Sequence, residues 1–82
     1  MRTFSEIAKE IKTLWKKPYF GAVPYIEAML EIHSSDKNAP YLFETAKDIV
    51  PYFLSNAATW RGEDAKRIKA ELRAMLNELK QN

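Results

Sequence analysis

Two carboxylate pairs have the spacing that acid–base or metal chemistry needs. Glu27 and Glu31 are four residues apart, and so are Glu44 and Asp48. On a helix such positions share a face, so each pair could share a proton or hold a divalent cation through oxygen. No Glu-x-x-His accompanies them, and glutamates at this spacing are common on solvated faces. His33 is the only histidine, and near the end of a predicted helix it suits a dipole partner or plain surface better than a ligand. The absence of cysteine removes disulfides, thiolate nucleophiles and Cys-ligated zinc. Two glycines leave no Gly-rich phosphate loop, and Ser5, Ser34, Ser35 and Ser55 lack a G-x-S-x-G context. The residues imply no catalytic group, no metal and no cofactor, and the expectation is a non-enzymatic protein.

Positive charge is the stronger chemical signal. Lys9, Lys12 and Lys16 share one side of the first predicted helix, and Lys66, Lys69 and Arg73 share one flank of the last. If the two helices were adjacent with these flanks aligned, about six cations would line one groove and bind phosphates in a salt-dependent way. Trp60, Tyr19 or Tyr41 could then stack on bases. Against this, the last helix also carries acids, and a recognition helix usually clusters its Arg, Asn or Gln at one end. A solvated face edged by salt bridges is the plainer reading. Trp60-Arg61-Gly62-Glu63 is the densest local cluster. Its Trp either staples the helix start onto the core or, exposed beside Arg61, forms a protein-binding hot spot that Tyr19 and Phe20 would extend.

These residues need helices to place them. Thr3-Phe4-Ser5-Glu6 fits a capping box, and Phe4, Ile7, Ala8, Ile11, Leu14 and Trp15 follow at helical spacing. Pro18 then predicts a first helix over 4–16. After the 19–24 connection a broadly apolar second helix is predicted over 22–33, and few polar positions make it the candidate for deepest burial. The polar 34–40 stretch reads as a mobile loop. A third helix is predicted over 41–57, kinked or split at Pro51. Val23-Pro24-Tyr25-Ile26 and Val50-Pro51-Tyr52-Phe53 look alike, but four positions are too few for a repeat. The last helix is predicted to start at Thr59 or Arg61 and to run to Leu79, with Ala65, Ile68, Leu72, Met75, Leu76 and Leu79 as its stripe. Lys66, Lys69, Arg73 and Lys80 flank it on one side and Asp64, Glu71 and Glu78 on the other; Gln81-Asn82 would fray.

The 82 residues fit one domain over 1–82. The expected class is all-α: a compact four-helix bundle with short loops. Net charge is only +2, but segment 1–20 carries +3, segment 21–58 carries −3 and segment 59–82 carries +2. Basic terminal helices packed on an acidic middle account for this pattern, and a basic outer face is the sharper alternative. No apolar run approaches the ~20 residues of a membrane span, and Met1-Arg-Thr-Phe-Ser-Glu has no apolar region behind it. A small Cys-free chain is therefore expected in the cytoplasm, without membrane or small-molecule partners.

Residues 16–25, Lys-Lys-Pro-Tyr-Phe-Gly-Ala-Val-Pro-Tyr, and residues 53–63, Phe-Leu-Ser-Asn-Ala-Ala-Thr-Trp-Arg-Gly-Glu, resemble stretches in small uncharacterised proteins encoded by phages and prophages of Gram-positive bacteria. The resemblance implies an accessory phage protein that acts by binding inside the host cell, and it transfers no functional residue. The expected function is protein binding, to a partner or a second copy, through Tyr19, Phe20, Trp60 and Arg61. The alternative is nucleic-acid binding through Lys9, Lys12, Lys16, Lys66, Lys69 and Arg73.

Overall fold

The computed structural model describes residues 1–78. Its first element begins where the capping box places it. The Thr3 hydroxyl accepts the Glu6 backbone N–H at 3.0 Å, and the Glu6 carboxylate accepts the Thr3 N–H at 2.8 Å. Helix α1 then spans Phe4–Leu14 and stops short of the predicted Lys16, because Trp15 leaves helical geometry at φ −96°, ψ 86°. A 3₁₀ turn at Phe20–Ala22 leads into α2, Val23–Leu30, with Pro24 in its first turn, where a missing N–H is harmless. The predicted extension of α2 to residue 33 does not form; Glu31 caps it, and Ile32 is buried outside the helix. Nor is α2 the most buried element. It buries Ile26, Ala28 and Met29, whereas α1 buries Phe4, Ser5, Ile7, Ala8 and Ile11. The exit from α2 completes α1: the Ile32 and Ser34 carbonyls accept the Ser5 and Phe4 backbone N–H groups, each at 2.9 Å. The first turn of a helix has such donors to satisfy.

The 34–40 loop is held by local and distant bonds. Ser34 Oγ accepts the Asp36 N–H, Asp36 Oδ1 accepts the Asn38 N–H, and Lys37 Nζ donates to the Leu76 carbonyl at 3.2 Å. The predicted helix over 41–57 is corrected at its start. Pro40–Tyr41 (β1) and Glu44–Thr45 (β2) pair antiparallel around a turn at Leu42 and Phe43, with Pro40 opposite Thr45 and Tyr41 opposite Glu44. Thr45 then caps α3, Ala46–Ser55, with the Asp48 carboxylate accepting both its N–H and its hydroxyl at 2.9 Å. A cap at Thr45 prevents helix from starting at Tyr41. The all-α expectation therefore gives way to a mostly helical chain with a two-strand hairpin. Helix α3 runs through Pro51 without a break, so the predicted split does not occur. Pro51 is exposed and lacks only the N–H that would bond the Lys47 carbonyl, near the helix start. The two Val-Pro-Tyr stretches meet in space, where Tyr25 and Tyr52 stack with ring centroids 5.6 Å apart.

Helix α4 spans Glu63–Asn77. It starts after Gly62, not at Thr59 or Arg61, because Gly62 at φ 111°, ψ 176° occupies a backbone region open essentially to glycine alone. Leu79, Lys80, Gln81 and Asn82 lie outside the described residues. Phe4, Ile7 and Ile11 of α1 meet Met29, Val50, Phe53, Ile68, Leu72 and Met75 in one core. The radius of gyration is 11.9 Å, against roughly 12 Å for a compact chain of this length. Among the described residues no helix is long and apolar enough to cross a membrane.

Candidate functional site

The carboxylate pairs do not assemble as chemistry would need. Glu27 is ion-paired with Lys12 at 3.0 Å, and Glu31 lies past the end of α2. Glu44 stands in β2 and Asp48 in α3, so the two do not share a helix face. The Thr45 backbone N–H, and after it the Thr45 hydroxyl, hold the Asp48 carboxyl below its ordinary value of 3.8. His33 is exposed in the coil after α2.

The two lysine flanks do not form one groove. The α1–α4 seam is occupied by other charges: Glu10 binds Arg2 and Arg67, each at 2.8 Å, while Arg2 reaches Glu71 at 2.7 Å and Arg67 reaches Asp64 at 3.1 Å. Hydrogen bonds from Arg67, then from Arg2, keep the Glu10 carboxyl below its ordinary value. With the seam closed by these pairs, the lysines point elsewhere. Lys9 is exposed, and Lys12 and Lys16 edge a recess of about 190 Å³ walled by Trp15, Pro18, Val23 and Ile26. Lys66, Lys69 and Arg73 line a different recess of about 390 Å³ together with Trp60, Arg61, Gly62 and Glu63. Sequence reasoning did not place Arg61 in this group; the turn at Gly62 brings it there. Among the described residues, none of these four cations has an ion-pair partner. Lys69 Nζ donates to the Trp60 carbonyl at 2.6 Å. Burial, then the nearby charges of Arg73 and Arg61, pushes its ammonium pKa down. An anion in the recess would relieve that repulsion.

The aromatic residues separate into two populations. Trp60 is only 6% exposed and stacks on Trp15, ring centroids 5.3 Å apart and 7° from parallel; Phe53 meets Trp15 edge-on at 6.4 Å. Trp60 is therefore the staple of the α4 start and not an exposed hot spot, while Arg61 beside it is exposed. Tyr19 and Phe20 are exposed, at 45% and 80%, with their rings 4.8 Å apart. Gly21 permits this arrangement: a Cβ there would lie 2.6 Å from the Tyr19 ring and 2.7 Å from Asn56 Oδ1. Comparisons with protein-family models, curated proteins and solved structures find no match to this chain.

The two most exposed large hydrophobic side chains among the described residues were not singled out in the sequence. Leu42 and Phe43, at the hairpin tip, are 82% and 103% exposed. Both fall within the helix predicted over 41–57. The available signal was Thr45-x-x-Asp48, a capping pattern that places 41–44 outside the helix.

Proposed function

We propose that this is a non-enzymatic binding module that acts through protein–protein contacts, in the host cytoplasm if it is phage-encoded. The exposed Tyr19–Phe20 pair carries the reading. Aromatic residues are enriched where interfaces are buried, and each ring removes about 150–250 Å² from water on contact. A stable specific complex buries about 1,200–2,000 Å² in total, so the pair serves as an anchor within a wider face. The shallow recess lined by Tyr19, Ser55, Asn56, Ala58 and Thr59 extends this face toward Arg61, two residues along the chain. Capture of partners from host lysate with tagged protein tests the reading. Phe20→Ser is expected to lose the captured protein with an unchanged helical circular dichroism signal. Undiminished capture by that variant would refute it.

A second reading is nucleic-acid binding, favoured by four cations around one recess that have no ion-pair partner among the described residues. It is narrower than the sequence suggested. Arg61, Lys66, Lys69 and Arg73 would carry it, and Lys9, Lys12 and Lys16 would lie apart. Neutralising three or four phosphates predicts a log–log salt slope of about −3 for duplex DNA. A titration of DNA and RNA against salt that finds no salt-sensitive binding at low ionic strength removes this reading.

A further inference from the structure

We infer that the protein self-associates head to tail, the Leu42–Phe43 hairpin tip of one copy seating in the recess between α1 and α2 of another. The contact is one form of the protein binding proposed above, made by residues other than Tyr19 and Phe20. The tip is an unusual object. Leu42 has φ 54°, in the left-handed region that leucine rarely adopts. Positive φ at the first central residue alone marks a turn in which glycine is preferred. A leucine there, followed by a fully exposed phenylalanine, gives up both backbone ease and apolar burial. The tip is also well anchored. Tyr41 packs against the core, Ala46 N–H donates to the Ala39 carbonyl at 3.0 Å, and the Thr45–Asp48 cap fixes the strand that leaves it.

The recess matches the tip in size, chemistry and charge. At about 190 Å³ it is below the roughly 300–1,000 Å³ of small-molecule pockets and on the scale of one aromatic side chain. Trp15, Pro18, Val23 and Ile26 form its walls; Lys16 and the Lys12–Glu27 ion pair, 3.0 Å, stand on its rim. The tip is flanked by Glu44 and Asp48, both exposed. Acidic flanks on the tip meet Lys16, the rim cation that no carboxylate pairs with among the described residues, whereas a nucleic acid or anionic bilayer would repel those flanks.

Placement makes the contact intermolecular. The segment leading to the hairpin is bonded to the start of α1, through Phe4 and Ser5, and to the end of α4, through Leu76. The recess is built from the end of α1 and the start of α2. The length of α1, roughly 16 Å at 1.5 Å per residue, separates the two. Unlike surfaces joined in this way give a heterologous contact that closes as a ring or extends as a chain of copies. Two side chains bury far less than a stable dimer requires, so the association belongs to the weak class.

Sedimentation of the full chain over rising concentration, up to about 1 mM, tests this. Wild type is expected to gain mass with concentration, less so at high salt. Phe43→Ser and Val23→Glu are each expected to weaken association at least ~10-fold without changing circular dichroism. An equimolar mixture of the two is expected to restore a one-to-one complex, because one variant keeps an intact recess and the other an intact tip. Lys16→Glu, at an exposed position, replaces Val23→Glu if that variant unfolds. A wild type that stays monomeric overturns the proposal. So does loss with Phe43→Ser but not with either recess variant, which would indicate tip-to-tip contact or another occupant. So does a mixture that fails to recombine. Lysate capture separates the two readings, since Phe43→Ser leaves Tyr19 and Phe20 in place and Phe20→Ser leaves the tip and recess in place.

Discussion

Trp15 with Trp60, and Tyr19 with Phe20, are two aromatic pairs with nearly equal ring separations, 5.3 and 4.8 Å, and opposite fates. The tryptophans are buried and the other pair faces solvent. Aromatic character does not account for the difference, since all four carry large aromatic rings. Chain direction does. Trp15 lies on the stripe that contains Ile7 and Ile11, so it stays over the core after α1 ends. Tyr19 and Phe20 follow in the connection beyond α1, where Gly21 lets the backbone pass close to the Tyr19 ring. Trp60 reaches the core from the far side, held by the turn in which its N–H bonds the Ala57 carbonyl at 3.0 Å. Stripe position alone does not decide burial: Leu14, on the same predicted stripe as Trp15, is 36% exposed.

The comparison breaks most sharply at Trp60→Ala, which is expected to cost about 3–5 kcal/mol in urea denaturation. That is a large share of the ~5–15 kcal/mol available to a small domain. A cost below about 1 kcal/mol would mean that the stack is not part of the core. Next comes Gly62→Ala, which tests the turn that lets Trp60 stay buried while α4 begins. Nothing stands within 4 Å of a Cβ at Gly62, so the expected loss of about 1–3 kcal/mol comes from backbone strain alone. Acid gives a smaller effect. Glu6 and Glu10 are held below the ordinary 4.5 and Asp48 below 3.8, chiefly by hydrogen bonds from Thr3, Arg67 and Thr45 respectively. Depressed carboxylates contribute stability that is present above those ordinary values and lost as pH falls through the folded ones. Thermal midpoints followed by Trp fluorescence are therefore expected to fall below about pH 4.5, with little change between pH 5 and 7. The smallest effect belongs to the exposed pair. Phe20→Ser should alter stability by no more than about 0.5 kcal/mol. A larger loss in the same denaturation series would place Phe20 among the packed residues and erase the contrast.

Much of the fold was legible in the sequence, and the exceptions share a cause. Local signals worked: Thr3 and Glu6 formed their box, and the stripe from Ala65 to Met75 was buried as its spacing required. Apolar runs carry the predicted helices past their ends, even where Thr45-x-x-Asp48 supplies a capping pattern. Residues 41–45 and 31–33 were assigned to helices because their apolar residues fit the spacing, whereas a cap at Thr45 and the tie between Ile32 and α1 decided otherwise. At the candidate site, the grouping of Lys66, Lys69 and Arg73 was visible in their spacing. Alignment with Lys9, Lys12 and Lys16 was not, because it depended on which charges took the seam between α1 and α4. Trp60 carried two readings in sequence, and only its partner, Trp15, distinguished them.

The bonds from Phe4 and Ser5 to the exit of α2 bear on motion as well as on shape. Amides in the first turn of a helix lack partners within it and usually exchange with solvent fast. Here those two amides are closed by carbonyls from residues 34 and 32. They cannot be released until α1 separates from the segment that follows α2. In deuterated buffer Phe4 and Ser5 should therefore exchange as slowly as Ile26 and Met29 of α2, so that the first turn of α1 opens only together with the segment that follows α2.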